Sequence, residues 1–72
     1  MPSFPDRLKE LRKLSGLSQK GLAEKCGLSE GGIQSYELEL RKPSMDAITK
    51  LADCFNVSTD YLLGRSDNPT HN

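Results

Sequence analysis

Apolar residues recur along this chain three and four positions apart, the spacing that places side chains on one face of an α-helix. In the first segment this spacing predicts an inward stripe, formed by Phe4, Leu8, Leu11 and Leu14. A later segment predicts a second buried face, formed by Met45, Ile48, Leu51, Ala52 and Phe55. The period-two alternation typical of strands is absent, so the sequence predicts an all-α fold.

Residues that favour helix ends divide the chain into segments. Ser3 and Asp6 are spaced as a variant of the capping box, and Asn56 tolerates the left-handed conformation that ends a helix. Helices are predicted over residues 4–15, 18–25, 30–38, 45–55 and 59–63. The predicted organisation is a compact five-helix bundle within residues 1–64, followed by a flexible tail over residues 65–72.

The segment from residue 19 to residue 36 carries the most specific pattern. Ala23 is small where a second helix would press against the first, and Gly27 can adopt the positive φ that ends a helix sharply. Ser29 can then cap the next helix, in which Ile33 and Tyr36 are predicted to face the core. A DNA-binding helix-turn-helix typically has Gln first, Ala fifth, Gly ninth and an aliphatic residue fifteenth. Here these residues are Gln19, Ala23, Gly27 and Ile33.

With this pattern the sequence resembles the Cro and lambda-repressor-like family of helix-turn-helix domains, also called the XRE family. The resemblance extends over residues 4–64 and includes the first helix, the basic segment 41–44 and the closing segment 57–64. It implies a lambda-repressor-like DNA-binding domain that inserts its third helix into the major groove of double-stranded DNA. It also implies a homodimer, because DNA-binding proteins of this type commonly dimerise.

The resemblance assigns base contacts to the outward positions of helix three, which are Glu30, Gly31, Gln34 and Ser35. Gln34 can donate to and accept from adenine, Ser35 can bond several base edges, and Glu30 can accept from cytosine N4. The adjacent Gly31 and Gly32 depart from the family pattern, because they weaken a helix and offer no side chain to a base. Specificity is therefore expected to depend on few contacts, on water, or on DNA shape.

Phosphate contacts are expected on both sides of helix three. Backbone amides at the start of helix two would point at a phosphate, and the resemblance gives Gln19 a contact with the same strand. Arg41, Lys42 and Ser44 stand where the family's loop and fourth helix approach the DNA backbone across the groove. The alternatives are a contact of Gln19 with helix one and an ordinary solvated loop for the basic pair.

Arg12 and Glu37 form a further expected pair, because the family often joins an Arg of helix one to a Glu near the end of helix three. Arg12 is also a candidate phosphate contact, whereas Glu37 is assigned to the fold. After helix three the family usually has glycine or asparagine, and this chain has Glu39 between Leu38 and Leu40. We expect Leu38 to pack onto the bundle, and leave Leu40 open between packing and a second subunit.

The charge balance is unusual for a DNA-binding protein. Ten basic and ten acidic residues cancel to a formal net charge of +0, and the pI is about 6.5. Residues 7–42, however, hold eight Lys or Arg against five Glu, a local charge of +3. The charge is therefore polarised along the chain in the direction that DNA binding requires, although an ordinary solvated surface is the alternative explanation.

Composition and residue types narrow the classes of function that remain possible. No segment of the 72 residues has the length of a membrane span or the form of a signal sequence, so a cytoplasmic protein is expected. Cys26 and Cys54 lack metal-ligand spacing and are expected to be small core or boundary residues, with a redox switch as the alternative. His71 is the single histidine. Neither an enzyme, nor a metal or other cofactor, nor a small-molecule ligand is indicated.

The leading hypothesis is a sequence-specific transcriptional regulator, most simply a repressor, that occupies an operator as a dimer. The alternative is a protein-interaction module that keeps the fold and uses helix three, or the edge from Leu38 to Leu40, to hold a partner protein. Glu30, the paired glycines and the zero net charge are the best evidence for that alternative.

Overall fold

The computed structural model describes residues 2–70, and five α-helices occur in this range. They are α1 (Phe4–Leu14), α2 (Gln19–Cys26), α3 (Glu30–Glu37), α4 (Met45–Phe55) and α5 (Thr59–Leu62). No strand is present between residues 2 and 70. The predicted all-α five-helix fold is confirmed, and the helix bounds differ from the predicted ones by at most one residue. His71 lies outside the described residues.

Serine hydroxyls cap four of the five helices. Each cap accepts a hydrogen bond from the backbone N–H three residues further on, and the four are Ser18, Ser29, Ser44 and Ser58. Gly27 and Asn56 end α2 and α4 in the left-handed conformation, as predicted. Ser3 differs, because its hydroxyl donates to Asp6 Oδ2 at 3.1 Å instead of capping the backbone. The predicted capping box is wrong, since the carboxylate is the stronger acceptor.

One hydrophobic core joins all five helices. Its largest fully buried side chains come one from each helix, and they are Leu8, Leu22, Ile33, Leu51 and Leu62. The Phe4 and Tyr36 rings meet edge to face with their centroids 5.9 Å apart, which joins α1 to α3. Ala23 is buried where α2 packs on α3, so the small residue lets the two helices approach closely.

Three apolar residues that were predicted to pack inward are exposed. The exposed fraction is 78% for Leu14, 58% for Leu38 and 75% for Met45. Leu14 and Met45 are terminal residues of α1 and α4, where the apolar stripe extends past the neighbouring helices. Leu38 follows the last residue of α3 and turns away from the core with the chain. Leu40, which the sequence left open, is also exposed.

Arg7 is buried in α1 although it is charged. Its guanidinium carbon lies 3.8 Å from the centroid of the Tyr61 ring, and Nη2 donates to Asp67 Oδ1 at 3.4 Å. The residue is only 4% exposed, and its Nε has no hydrogen-bond partner in the described part of the chain. The cation therefore closes one side of the core by stacking on an aromatic face.

The chain after α5 contacts the bundle through residues 67–69. Ser58 N donates to Pro69 O at 3.2 Å, and Ser58 Oγ donates to Asn68 O at 3.4 Å. Together with the Asp67 contact to Arg7, these bonds hold residues 67–69 beside α1 and the start of α5. The flexibility predicted for residues 65–72 stays a prediction.

Candidate nucleic-acid interface

The turn between α2 and α3 fixes the angle at which the two helices meet. Gly27 has φ of 71° and ψ of 34°, and Leu28 N donates to Ala23 O at 2.9 Å across the turn. Ser29 Oγ then accepts from Gly32 N at 3.0 Å, so only three residues, 27–29, separate α2 from α3. These two hydrogen bonds satisfy a backbone N–H on each side of the turn, Leu28 N and Gly32 N, and so restrain its conformation.

The third helix has one face in the core and one face in solvent. Gly32, Ile33, Tyr36 and Glu37 are buried, whereas Glu30, Gly31 and Gln34 are exposed and Ser35 is half-buried. The inward positions of Ile33 and Tyr36 agree with the sequence. The four residues predicted to contact bases thus share one accessible face.

The two glycines of α3 have different surroundings. A Cβ added to Gly31 would meet nothing within 4 Å, whereas a Cβ added to Gly32 would lie 2.9 Å from Ser29 Oγ. Gly32 therefore leaves room for the capping hydroxyl. Gly31 leaves the outward face of α3 without a side chain at its second position.

A polar network ties α3 to the two helices before it. Arg12 Nε and Nη2 donate to the two carboxylate oxygens of Glu37 at 2.6 and 3.1 Å, and Arg12 Nη1 donates to Leu17 O at 3.0 Å. Gln19 Nε2 donates to Glu37 Oε1 at 3.1 Å. The hydrogen bond with Glu37 raises the pKa of Arg12, against the lowering effect of burial. The ion pair expected from the family resemblance is therefore present.

This network also determines what Arg12 and Gln19 have left to offer a ligand. Arg12 uses three of its five N–H donors in this network, one on each guanidinium nitrogen, so one hydrogen on Nη1 and one on Nη2 remain for a phosphate. Gln19 Nε2 uses one of its two amide hydrogens on Glu37, and the other remains for an acceptor outside the helix. The phosphate contacts predicted for both residues stay predictions.

The segment after α3 supplies donors on the other side of the exposed face. Arg41 and Lys42 are exposed, and the Arg41 guanidinium carbon lies 5.8 Å from the centroid of the Tyr36 ring. This cation–π contact holds Arg41 near the end of α3. Ser44 Oγ accepts from Ala47 N at 3.1 Å, so its own hydroxyl hydrogen remains available to a phosphate.

Two features of this region were not predicted from the sequence. Glu39 has φ of 62°, so a glutamate adopts the left-handed conformation at the position where the family usually has glycine or asparagine. The hydrogen bond from Gln19 to Glu37 was also missed, since no local spacing relates residues 18 positions apart. Glu39 stands where the family usually has glycine or asparagine, and this departure could have indicated the left-handed conformation. No feature of the sequence could have indicated the bond between Gln19 and Glu37.

Two types of site are not indicated by the structure. Within residues 2–70, no cluster of three His, Cys, Asp or Glu could hold a metal ion. In the same range, none of the helices has the length and apolar character that a bilayer span needs. The candidate site is the exposed face of α3 together with its flanking donors, Gln19, Arg41, Lys42 and Ser44.

A short hydrogen-bonded turn between two helices, an exposed second helix and polar anchors on both sides define a lambda-repressor-like helix-turn-helix domain. The family model described as helix-turn-helix matches residues 8–62. The chain belongs to this family, and its resemblance to the XRE group is confirmed.

Curated and solved relatives agree with this assignment. The HTH-type transcriptional regulator ImmR of Bacillus subtilis is 43% identical over 65 residues, which are 90% of this chain and 51% of ImmR. The crystal structure of the biofilm regulator SinR in complex with DNA has a TM-score of 0.78 and 34% identity, over 83% of this chain and 97% of that one. SinR is also a Bacillus subtilis protein.

The P22 c2 repressor, solved with a synthetic operator, supports the fold alone. It has a TM-score of 0.83 over 92% of this chain and all of that one, at 24% identity. The chain spans about half the length of the first curated relatives it matches, with 51% of ImmR and 59% of the Bacillus subtilis regulator YobD.

Proposed function

We propose that this domain binds double-stranded DNA in a sequence-specific way and regulates transcription, most simply as a repressor that occupies an operator. The observation that carries the proposal is the accessible face of α3. The buried Ile33 and Tyr36 and the Arg12–Glu37 pair hold this helix in place, while Glu30, Gly31 and Gln34 remain exposed. Major-groove recognition needs such a rigid helix with a free outer face.

Base recognition is assigned to the polar side chains of that face. Gln34 would donate to and accept from an adenine, and Glu30 would accept from a cytosine amino group. Ser35 would add one adaptable hydrogen bond at the edge of the helix. Because Gly31 has no side chain, the proposed recognition combines these few contacts with DNA shape and bridging water.

Phosphate contacts would fix the position of α3 in the groove. On one side are the first amides of α2 and the free amide hydrogen of Gln19, and on the other are Arg41, Lys42 and the Ser44 hydroxyl. These groups carry no sequence information, but they set the register and make the affinity fall with added salt.

The remaining parts of the proposal concern the state of the protein. We expect a cytoplasmic, non-enzymatic regulator that binds an operator as a homodimer. In support, SinR has been crystallised in complex with DNA, and ImmR and AnsR of Bacillus subtilis are HTH-type transcriptional regulators. The exposed Leu38 and Leu40 favour a protein partner, so a protein-interaction module on the same fold is the second candidate.

The decisive experiment selects bound sequences from a random duplex pool and compares the winner with scrambled DNA at two salt concentrations. A symmetric site with half-sites about one helical turn apart would support a dimeric operator-binding protein. The Gln34→Ala variant should lose preference at one base pair of that site. If nothing is enriched and only weak salt-sensitive binding remains, the protein-interaction module becomes the better explanation.

A further inference from the structure

The backbone after α3 holds an apolar side chain out in solvent. Glu39 N donates to Tyr36 O at 3.2 Å and Leu40 N donates to Ser35 O at 2.8 Å, with Glu39 in the left-handed conformation between them. This is the Schellman arrangement, in which the last residue frequently packs back on the helix that it ends. Leu40 is instead 71% exposed. Its backbone is therefore fixed while its side chain has no protein cover.

A cavity of about 230 Å³ lies beside this leucine, between the start of α1 and the segment after α3. Leu40 belongs to the same segment but does not line the cavity, so its side chain is free to enter another one. A closed apolar cavity of about 150 Å³ accepts benzene, which means that the four-carbon side chain of leucine has room here. The residues that line the cavity are Phe4, Pro5, Glu39, Arg41, Lys42 and Pro43.

Charges on the two sides of Leu40 make this surface complementary to itself. Glu39 precedes the leucine and Arg41 follows it, and both are exposed. If two copies meet about a two-fold axis with these segments antiparallel, the acid of each copy faces the base of the other. The same rotation brings the leucine of each copy toward the apolar residues of the other cavity.

We propose that a second copy of this chain docks on this surface, with Leu40 of each copy in the cavity of the other and Glu39 of each copy paired with Arg41 of the other. This interface rests on the proposed function, because it supplies the homodimer that operator binding was assigned. A foreign partner would need only the leucine or only the cavity. Both on one surface, with opposite charges beside them, satisfy the condition for an isologous contact.

The intermolecular pair is compatible with the contacts that Arg41 already makes. Its guanidinium carbon lies 5.8 Å from the centroid of the Tyr36 ring, a contact that uses the face of the guanidinium group. The five N–H donors point outward in the plane of that group, so a carboxylate can be bound at its edge. Lys42 and the Ser44 hydroxyl take no part in the pair and remain for DNA phosphates.

Sedimentation equilibrium of the 72-residue chain without DNA tests the interface. The contact is small for a dimer, so we expect a Kd of about 0.1 to 1 mM at low salt. Leu40→Asp should weaken association at least tenfold, because each dimer would lose both leucine contacts. Leu14→Asp is the matched control, since Leu14 is 78% exposed at the opposite end of α1 from Phe4, and it should leave association unchanged. A wild-type chain that stays monomeric at about 1 mM would overturn the proposal.

Charge reversal tests which residues face each other. Glu39→Arg and Arg41→Glu should each weaken self-association about tenfold, since each change creates two like-charge contacts per dimer. An equimolar mixture of the two variants should associate as a heterodimer about as well as the wild type, because two bases then face two acids. Circular dichroism checks that both variants fold. A mixture that associates no better than its components would refute the pairing.

The outcomes of this test and of the DNA selection are distinguishable. No DNA is present during sedimentation, so loss of the proposed interface would leave sequence-specific binding to be judged from the selected duplexes alone. Failure of the selection to enrich any sequence, with a dimer that responds to these variants, would leave the interface standing and remove only its role at an operator.

Discussion

Replacing Glu37 by alanine tests what holds α3 in place. The Glu37 side chain is 3% exposed and accepts two hydrogen bonds from Arg12 and one from Gln19. After Glu37→Ala, the Arg12 guanidinium, whose side chain is 14% exposed, keeps its charge without a counter-ion. Breaking a buried pair by removing one partner costs about 3 to 5 kcal/mol. The remaining solvent access of Arg12 favours the lower end of that range.

This loss is large for a domain of this size. At about 0.05 to 0.15 kcal/mol per residue, the whole domain has roughly 4 to 11 kcal/mol of stability. A loss of about 3 kcal/mol should lower Tm by about 12 to 24 °C, given the usual 4 to 8 °C per kcal/mol in a small domain. Urea and thermal unfolding followed by circular dichroism measure both quantities.

The Asp46–Lys50 pair supplies the matched control. It is a surface pair in α4 with a distance of 3.2 Å, and its side chains are 74% and 44% exposed. Lys50→Met should cost no more than about 0.5 kcal/mol. Removing both charges of the buried pair, with Arg12→Met and Glu37→Met together, should restore part of the loss. A Glu37→Ala effect below about 1 kcal/mol, the surface-pair range, would refute the assignment.

Other substitutions test the interface and the backbone. Gln34→Ala should cost about 1 to 3 kcal/mol at one base pair in selected duplexes; an equal loss on all sequences would contradict base recognition. Lys42→Ala should weaken binding to all DNA and lower the slope of log affinity against log salt by about one. Glu39→Gly should raise unfolding stability by about 1 kcal/mol in urea, since it relieves a φ of 62°. Gly64→Ala should lower Tm more than Gly27→Ala. The Cβ added at residue 64, unlike the one added at residue 27, would lie 1.9 Å from a backbone oxygen.

Local chemistry explains why the helices were predictable. A serine cap before a helix, or Gly27 at the end of one, interacts with backbone groups only a few residues away. Such caps can therefore be recognised without knowing the rest of the fold. The helix-turn-helix pattern adds one tertiary relation, the crossing of α2 and α3 at Ala23, because the turn is too short to allow another arrangement. The inward direction of Ile33 and Tyr36 follows from that crossing.

Tertiary contacts explain what the sequence did not show. Leu14 and Met45 satisfy the helical spacing but have no neighbouring helix to cover them, and periodicity cannot reveal where a neighbour ends. Arg7 is buried because Tyr61 and Asp67, more than fifty residues away, meet it. At the interface, the pattern separated the exposed residues of α3 from the buried ones, but gave no sign that Gln19 is bonded to Glu37.

In the proposed mode of DNA binding, the unfilled space at Gly31 would make the second position of α3 a suitable place to change operator preference. A side chain introduced there meets no protein atom within 4 Å of its Cβ and replaces a poor helix former. Most changes to a recognition surface compete with folding, whereas this one would add a base contact and strengthen the helix together. A small set of substitutions at this one position could therefore give related domains that recognise different DNA sites on an unchanged scaffold.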